Sequence, residues 1–323
     1  MTFTLNKIHK AVNWNKEDDN FTQAFWEQNV KQFWLPEEIS VSKDLKVWNE
    51  LSEEERDLYK KVLAGLTLLD TKQGNNGIPS MMSLTDNLQR KAVLSFMGTM
   101  EEIHAKSYSS IFTTLLSNRE IDELFEWIEE EKTLQRKAEL ILEQYENTND
   151  EKSLYLSMVT SVFLESFLFY SGFFYPLFLA GQGKMVSSGE IISLILRDES
   201  LHGKYIGLLA KEKFESFNEE EKIELKNKMY EIFNSLMENE IKYTKLIYKD
   251  SNLEEEVINF LQYNANRALE NLGFEDYYHV KPVNPIVLNG LSTETKTHDF
   301  FSTKGNGYQK GIYEELKDED FII

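Results

Sequence analysis

Glu101-Glu102-Ile103-His104 and Glu199-Ser200-Leu201-His202 repeat one pattern, in which a histidine follows a glutamate by three residues inside an apolar run. Three residues advance an α-helix by about 300°, so both side chains of a pair point to the same side of a helix. A single pair of this kind is a common accident in a glutamate-rich chain, and a lone buried histidine is more often a satisfied core residue than a ligand. Two pairs in apolar surroundings predict two core helices that share a metal site.

Two further acidic residues interrupt hydrophobic runs, namely Asp70 within 66–70 and Glu165 within 162–169. The set then contains four carboxylates and two histidines. A dinuclear iron or manganese bundle takes one carboxylate from each of two helices and a Glu-x-x-His pair from each of two others. The sequence therefore predicts an all-α, ferritin-like helical bundle with additional helices and a dimetal-carboxylate site in its core.

The charge of this set also predicts metal. An unpaired carboxylate in a low-dielectric core costs several kcal/mol, and four converging carboxylates repel one another as well. Two divalent ions balance four negative charges without a buried lysine or arginine. Mixed oxygen and nitrogen ligands favour iron or manganese over zinc or calcium. We expect two manganese or two iron ions per chain, and the residue types do not distinguish the two metals.

Composition limits the partners and the compartment. The chain has 323 residues, of which 41% are hydrophobic, with only five prolines and a formal net charge of −20. Scarce proline and glycine favour helices, and the negative charge disfavours nucleic acid or an anionic membrane as a partner. There is no cysteine, so the chain itself performs no thiol chemistry. The first residues lack the apolar core of a signal peptide, and a cytoplasmic location is expected.

One apolar segment, 161–180, is long enough to be mistaken for a membrane span. It contains Glu165, Gly172 and Pro176. Because Glu165 belongs to the predicted metal site, we interpret this segment as a helix that is apolar all round and lies inside a bundle.

The pattern along the chain predicts one helical domain over 1–290 and a flexible tail over 291–323 that docks to a partner. Within the domain, 1–40 is expected to be an irregular, aromatic-rich arm that packs on the bundle. Helices are expected over 52–72, 86–116, 121–145, 153–180, 187–214, 219–248 and 253–272, with a break at 73–79, a cap at Ser187 or Ser188 and no pattern after Pro285. The tail ends in Phe321-Ile322-Ile323 behind an acidic run, which is typical of either a frayed terminus or a docking peptide.

Nearly the whole chain closely resembles the small, radical-generating subunit of class Ib ribonucleotide reductase, the NrdF type. The similarity begins at Ala11-Val12-Asn13-Trp14-Asn15. Its further motifs are Leu69-Asp70-Thr71-Lys72-Gln73-Gly74, Met100-Glu101-Glu102-Ile103-His104-Ala105-Lys106-Ser107-Tyr108, Phe163-Leu164-Glu165-Ser166-Phe167, Arg197-Asp198-Glu199-Ser200-Leu201-His202-Gly203 and Asn284-Pro285-Ile286-Val287-Leu288-Asn289-Gly290.

The resemblance implies a role for each site residue. Asp70, Glu101 and His104 would ligate one metal, and Glu165, Glu199 and His202 the other. Tyr108, one helical turn beyond His104, would be oxidised to a stable tyrosyl radical, although a tyrosine in a core helix is by itself more often a packed aromatic.

The resemblance also implies a route and partners. Trp34, Asp198 and Tyr308 would carry the radical towards a large subunit that reduces ribonucleoside diphosphates with a dithiol. Without the resemblance, Asp198 would instead suggest a salt bridge on the helix surface with Arg197 or a lysine. Tyr313 is a less favoured substitute for Tyr308. The family further implies a homodimer and either a dimanganese form activated by a flavodoxin-like flavoprotein or a diiron form assembled with oxygen. Substrate choice and allosteric control would lie on the large subunit.

Several relatives are set against this interpretation. Tyr108 argues against a variant class that has phenylalanine in place of the radical tyrosine, and the four carboxylates argue against a metal-free variant. A ferritin-like dimetal oxidase or metal-storage protein is the alternative, and such a protein would need neither Trp34 nor Tyr308.

Overall fold

The computed structural model describes residues 9–16 and 19–291, and within these ranges the chain is helical and has no β-strand. The α-helices are α1 (Thr22–Lys31), α2 (Leu45–Glu50), α3 (Glu53–Lys72), α4 (Ile78–Leu84), α5 (Leu88–Leu115), α6 (Asn118–Glu130), α7 (Lys132–Glu146), α8 (Glu151–Phe163), α9 (Tyr170–Gly181), α10 (Val186–Glu215), α11 (Glu219–Tyr248), α12 (Glu254–Asn271) and α13 (Pro285–Leu291). Short 3-10 turns lie at Pro36–Glu38 and Val41–Asp44, and π-helical segments lie at Gln73–Gly77 and Leu164–Leu168.

Local sequence signals start most of the long helices. At α3, the Ser52 hydroxyl accepts a hydrogen bond from the Glu55 backbone N–H at 3.2 Å, and the Glu55 carboxylate accepts one from the Ser52 backbone N–H at 2.8 Å. Such a box satisfies two backbone donors that the helix leaves free, and its capping residue stabilises the helix by about 1 kcal/mol. The same arrangement begins α6 at Ser117 and α11 at Asn218.

The core is a bundle of long helices. Helix α3 packs on α5, and α10 packs on α8, α9 and α5, while α7, α11 and α12 cover the outside of this group. One continuous apolar cluster fills the space between them. The predicted all-α bundle with additional helices is therefore confirmed.

The break predicted at 73–79 is wrong. The chain continues from α3 through the π-helical segment Gln73–Gly77 directly into α4, without leaving the helical conformation. A second π-helical segment, Leu164–Leu168, interrupts the helix predicted over 153–180 and separates α8 from α9. Glycine, asparagine and proline indicated a loop at the first position, whereas buried contacts of Gln73 keep the segment wound.

Two more helix boundaries differ from the prediction. The helix expected over 121–145 is two helices, and the Glu131 side chain between them caps α7 by accepting from the Thr133 backbone N–H at 3.0 Å. The cap of α10 is neither Ser187 nor Ser188. The Asp44 carboxylate, from a distant turn, accepts from the backbone N–H groups of both serines at 3.1 and 2.7 Å.

The chain after Pro285 also departs from the expectation, because it forms α13, which packs on α9. The two helices approach closely at Gly290, where an added Cβ would lie 2.1 Å from the Leu177 carbonyl oxygen. Glycine is therefore required at this contact.

The arm over 1–40 is not irregular throughout, since it contains α1. Its aromatic side chains contact the bundle: Trp26 meets Phe96 of α5 with ring centroids 5.9 Å apart, and Phe25 meets Tyr205 of α10 at 5.0 Å. These non-local contacts hold the short helix in place and were not visible in the periodicity of the arm itself.

The apolar run Glu151–Gly181 has the length and composition of a membrane-crossing helix. In the structure, 94% of its most apolar window is buried within the bundle. Its apolar surface is thus already covered by protein.

A buried ion pair lies outside the predicted site. Lys137 of α7 places its Nζ 2.6 Å from Glu240 Oε2 of α11, and the same Nζ lies 3.8 Å from the centroid of the Tyr243 ring. The Ser171 hydroxyl donates to Glu240 Oε1 at 2.5 Å. Burial lowers the pKa of Lys137, and the Glu240 charge opposes that effect.

We predict that Lys137→Met lowers the free energy of unfolding by about 3–5 kcal/mol, because it leaves an uncompensated carboxylate in the core. The double variant Lys137→Met/Glu240→Leu removes both charges and should recover most of this loss. Urea unfolding followed by circular dichroism measures both effects. A double variant as unstable as the single one would contradict this explanation.

Candidate metal centre

The six predicted ligands converge at one place in the core. Their donor atoms form two overlapping groups in which all atoms lie within 4.8 Å of one another. The first group is Asp70, Glu101, His104 and Glu199, and the second is Glu101, Glu165, Glu199 and His202. Glu101 and Glu199 occur in both groups, so they lie between two candidate ion positions. All six side chains have 0% exposure.

Both histidines turn Nδ1 towards the carboxylates. His104 Nδ1 lies 2.8 Å from Glu199 Oε1, and His202 Nδ1 lies 2.9 Å from Glu101 Oε1 and 3.2 Å from Glu199 Oε2. Each histidine is thus nearest to a carboxylate from the opposite helix. The Glu-x-x-His pair of α5 therefore contacts the pair of α10, because each histidine lies against a glutamate of the other helix.

The residues fit two divalent cations. In the described part of the chain, both oxygens of Asp70 and of Glu101, one oxygen each of Glu165 and Glu199, and His104 Nδ1 have no aligned hydrogen-bond partner. Burying an oxygen without a hydrogen-bond donor destabilises the folded chain, and a bound cation would offset this destabilisation. Oxygen donors with two imidazole nitrogens suit manganese or iron.

Three of the four carboxylates, those of Asp70, Glu101 and Glu199, have raised pKa values that favour their protonated forms. Burial raises the pKa of Glu101 to about 7, and burial together with the charges of neighbouring carboxylates raises the pKa of Asp70 and of Glu199 well above the usual range. Although burial raises the pKa of Glu165, its hydrogen bonds lower it overall. A metal ion entering this cluster must therefore displace protons.

Tyr108 lies on α5, one turn beyond His104, and is completely buried. Its hydroxyl has no hydrogen-bond partner among the described residues. Burial raises the pKa of Tyr108 well above 10, and the charges of Asp70 and Glu199 raise it further. The phenol is therefore protonated, dry and under the electrostatic influence of the carboxylate cluster.

A continuous line of polar contacts leads from the cluster to Trp34. Trp34 Nε1–H donates to Asp198 Oδ2 at 2.7 Å, and the same oxygen lies 3.2 Å from His104 Nε2. Asp198 is 1% exposed. The Arg197 guanidinium does contact Asp198 Oδ1, at 3.3 Å, but this ion pair is part of a buried network and not a separate surface pair.

Sequence reasoning did not single out two polar side chains next to the site. Gln32 Nε2 donates to Asp198 Oδ1 at 2.7 Å, and Gln73 Nε2 donates to Glu165 Oε1 at 2.5 Å. The position of Gln73, three residues after Asp70 on the same helical path, was a usable signal. Gln32 lies in the arm and gave none. Tyr308 and Tyr313 lie outside the described residues.

A helical bundle that encloses four carboxylates and two histidines in this geometry defines a ferritin-like protein with a dimetal-carboxylate site. The family model for the ribonucleotide reductase small chain matches residues 11–285. The chain belongs to this family.

Relatives and solved structures extend the match to almost the whole chain. The ribonucleoside-diphosphate reductase subunit beta of Bacillus subtilis is 56% identical over 322 residues, which cover 99% of this chain and 98% of that protein. Subunit beta of ribonucleoside-diphosphate reductase 2 of Escherichia coli is 40% identical over 98% of this chain and 99% of its own. The crystal structure of dimanganese(II)-NrdF from Streptococcus sanguinis is 45% identical, with a TM-score of 0.85 over 88% of this chain and 100% of that one.

These similarities support the assignment of the chain as the small subunit of a class Ib ribonucleoside-diphosphate reductase, and they do not support a separate oxidase or storage protein. The chain is thus one component of an oxidoreductase, and small chains of this family are homodimers that work with a large subunit. The buried cluster is a site for two manganese or two iron ions.

We predict that the metal-free protein becomes less stable as pH rises from about 4.5 to 7. Glu101 keeps its proton up to a pKa of about 7 in the folded chain and loses it near 4.5 in the unfolded chain, so its contribution to stability is lost across this window. The raised pKa values of Asp70 and Glu199 act in the same direction. Thermal unfolding midpoints measured across this range test the sign.

Glu101→Gln should flatten the dependence, and Mn(II) should also reduce it, because the bound ion replaces the protons. If the thermal unfolding midpoint of the metal-free wild type does not decrease as pH rises through this range, the electrostatic account is contradicted.

Proposed function

We propose that this chain generates and stores a tyrosyl radical on Tyr108 and passes it to the large subunit, where ribonucleotides are reduced. The observation that carries the proposal is the buried polar line that begins at the cluster with His104 and continues through Asp198 to Trp34. A metal store or a self-contained oxidase has no use for such a line.

In this proposal Asp70, Glu101 and His104 hold one metal ion, and Glu165, Glu199 and His202 hold the other. Glu101 and Glu199 belong to both donor groups, so either carboxylate would be available to both ions. Two oxidised manganese or iron ions bound there would supply a one-electron oxidant for Tyr108.

Tyr108 must lose a proton with its electron, because burial keeps its phenol protonated. We assign Asp70 as the proton acceptor, since it is a carboxylate of the cluster and its charge raises the pKa of Tyr108. The complete burial of Tyr108 excludes water and soluble reductants from the oxidised ring.

Asp198 has two tasks in this proposal. It accepts from Trp34 Nε1–H and lies against His104 Nε2, so it orients the ligand ring and connects it to the indole. Burial raises the pKa of Asp198, but the hydrogen bond with His104 and the Arg197 charge outweigh burial and lower it overall. The carboxylate therefore stays charged and able to accept both N–H groups.

The remaining elements follow from the family resemblance. We propose that residues 1–290 act as the radical-storing domain and that 291–323 dock to the large subunit and carry Tyr308 as the next transfer residue. Of the second segment, 292–323 lie outside the described residues, and Leu291 is the last residue of α13. We propose a cytoplasmic homodimer. The Streptococcus sanguinis relative is a dimanganese(II) protein, and we propose a dimanganese form activated with a flavodoxin-like flavoprotein, with a diiron form as the second state.

We predict that Tyr108→Phe abolishes the tyrosyl signal in electron paramagnetic resonance while two metal ions per chain still bind, because phenylalanine lacks the phenol but keeps the packing. Tyr155→Phe is the matched control, since Tyr155 is also buried with an unpartnered hydroxyl but lies on α8 away from the ligands. A radical that persists in Tyr108→Phe would refute the assignment.

We further predict that Trp34→Phe and Tyr308→Phe each leave the Tyr108 radical intact and abolish turnover with the large subunit. Trp34→Phe removes the N–H that Asp198 accepts and leaves an aromatic ring in the pocket. Trp48→Phe, a buried tryptophan packed on Tyr59, is the control for packing loss. The measurement compares radical content with nucleotide reduction, and normal turnover in either variant would remove that residue from the route.

A further inference from the structure

Gln73 joins the metal cluster to a second buried tyrosine. Its Nε2 donates to Glu165 Oε1 at 2.5 Å and to Ser161 Oγ at 2.6 Å, and its Oε1 accepts from the Tyr145 hydroxyl at 2.7 Å. Gln73 has 0% exposure and Tyr145 has 3%. The relay Tyr145–Gln73–Glu165 is thus closed to water and leads from α7 to a ligand carboxylate.

The relay fixes the direction of the Gln73 amide. A glutamine side chain fits its pocket in either of two orientations, which exchange the carbonyl oxygen and the amino group. The carboxylate of Glu165 can only accept, so it requires the amino group. Because the Tyr145 hydroxyl donates to the carbonyl oxygen, it favours the orientation in which the amino group faces Glu165.

The local backbone is shaped around this relay. Gln73 opens the π-helical segment Gln73–Gly77, and Glu165 lies in the other π-helical segment, Leu164–Leu168, so their hydrogen bond joins the two distorted turns. An added Cβ at Gly77 would lie 2.3 Å from Gln73 Oε1 and 2.8 Å from the Tyr145 ring. Only glycine leaves room for the amide and the ring together.

The consequence for Glu165 is that its two oxygens differ. Oε1 is held by Gln73, whereas Oε2 has no hydrogen-bond partner among the described residues and lies 3.8 Å from His202 Nδ1 in the cluster. Asp70, the corresponding carboxylate at the other candidate ion position, has neither oxygen held. The two ends of the cluster are therefore built differently.

We propose that Gln73 and Tyr145 are positioning residues for one metal position only, the one formed by Glu165, Glu199 and His202. Gln73 holds Glu165 so that a single oxygen, Oε2, is presented to the ion, and Tyr145 acts on Glu165 through Gln73. This inference rests on the ligand set in the proposed function. It predicts that loss of the relay weakens one of two ions and leaves the other unchanged.

The test is an anaerobic Mn(II) titration of the full chain, in which electron paramagnetic resonance reports free ions, isolated bound ions and coupled pairs. Wild type should bind two ions and show the coupled pair. Tyr145→Phe should keep one ion at wild-type affinity and bind the second about 10- to 100-fold more weakly, in the range found for outer-shell partners of ligands. Isolated bound Mn(II) should then appear at intermediate concentrations.

Two further variants separate positioning from a general loss of packing. Gln73→Met should weaken the same ion, and Gln73→Met/Tyr145→Phe should be no weaker than Gln73→Met, because Tyr145 acts only through the amide. Tyr155→Phe, which removes a buried hydroxyl elsewhere, should bind both ions as wild type does.

Unchanged affinity for both ions in Tyr145→Phe, equal weakening of both, or additive effects in the double variant would each overturn the inference. A wild-type chain that binds no pair of Mn(II) ions would instead contradict the proposed ligand set. The two failures are therefore distinguishable without any measurement of turnover.

Discussion

Mutual repulsion among four fully buried carboxylates is the constraint on which the rest of this structure depends. Asp70, Glu101, Glu165 and Glu199 come from three stretches of helix and one π-helical turn, and no arrangement of apolar helices would bring them together without compensation. Protons, two imidazoles and two cations are the available compensations, and the structure makes provision for each. The raised pKa of Glu101 favours its protonated form in the absence of a cation. The buried oxygens that lack hydrogen-bond partners mark where cations would bind.

The same constraint explains why so many polar side chains surround an otherwise apolar core. A carboxylate that must keep a fixed orientation needs a donor of its own, as Glu165 has in Gln73. A hydrogen-bond acceptor on one ring nitrogen of a histidine helps to hold the other nitrogen towards an ion, and His104 has such an acceptor in Asp198. The Asp198 carboxylate also accepts hydrogen bonds from Trp34 and Gln32 and contacts Arg197. One buried charge therefore links the ligand ring, the indole and the arm.

Periodicity and composition were sufficient for the bundle and for the six converging side chains, because buried carboxylates at helical spacing are rare enough to be informative. Trp34 and Asp198 were reached only through the resemblance, since nothing local distinguishes a transfer tryptophan from a packed one. Gln73–Gly77 was misread as a loop because glycine-rich sequence usually ends a helix, while the contacts that keep it wound come from Tyr145 and Glu165, far away in the chain. The Asp44 cap of α10 and the α1 contacts with Phe96 and Tyr205 were invisible for the same reason.

The position of α1 has a consequence for biosynthesis. The arm precedes α5 and α10 in the chain, yet these two helices make the surface that it covers, and its partner Tyr205 comes much later in the sequence. During synthesis, Phe25, Trp26 and Trp34 therefore lack their contacts on α5 and α10 until both helices have been made, in contrast to domains that fold in order from their N-terminus. Docking of the arm needs both helices in place, and it brings Trp34 against Asp198, so the polar line from the cluster is complete only once the arm has docked.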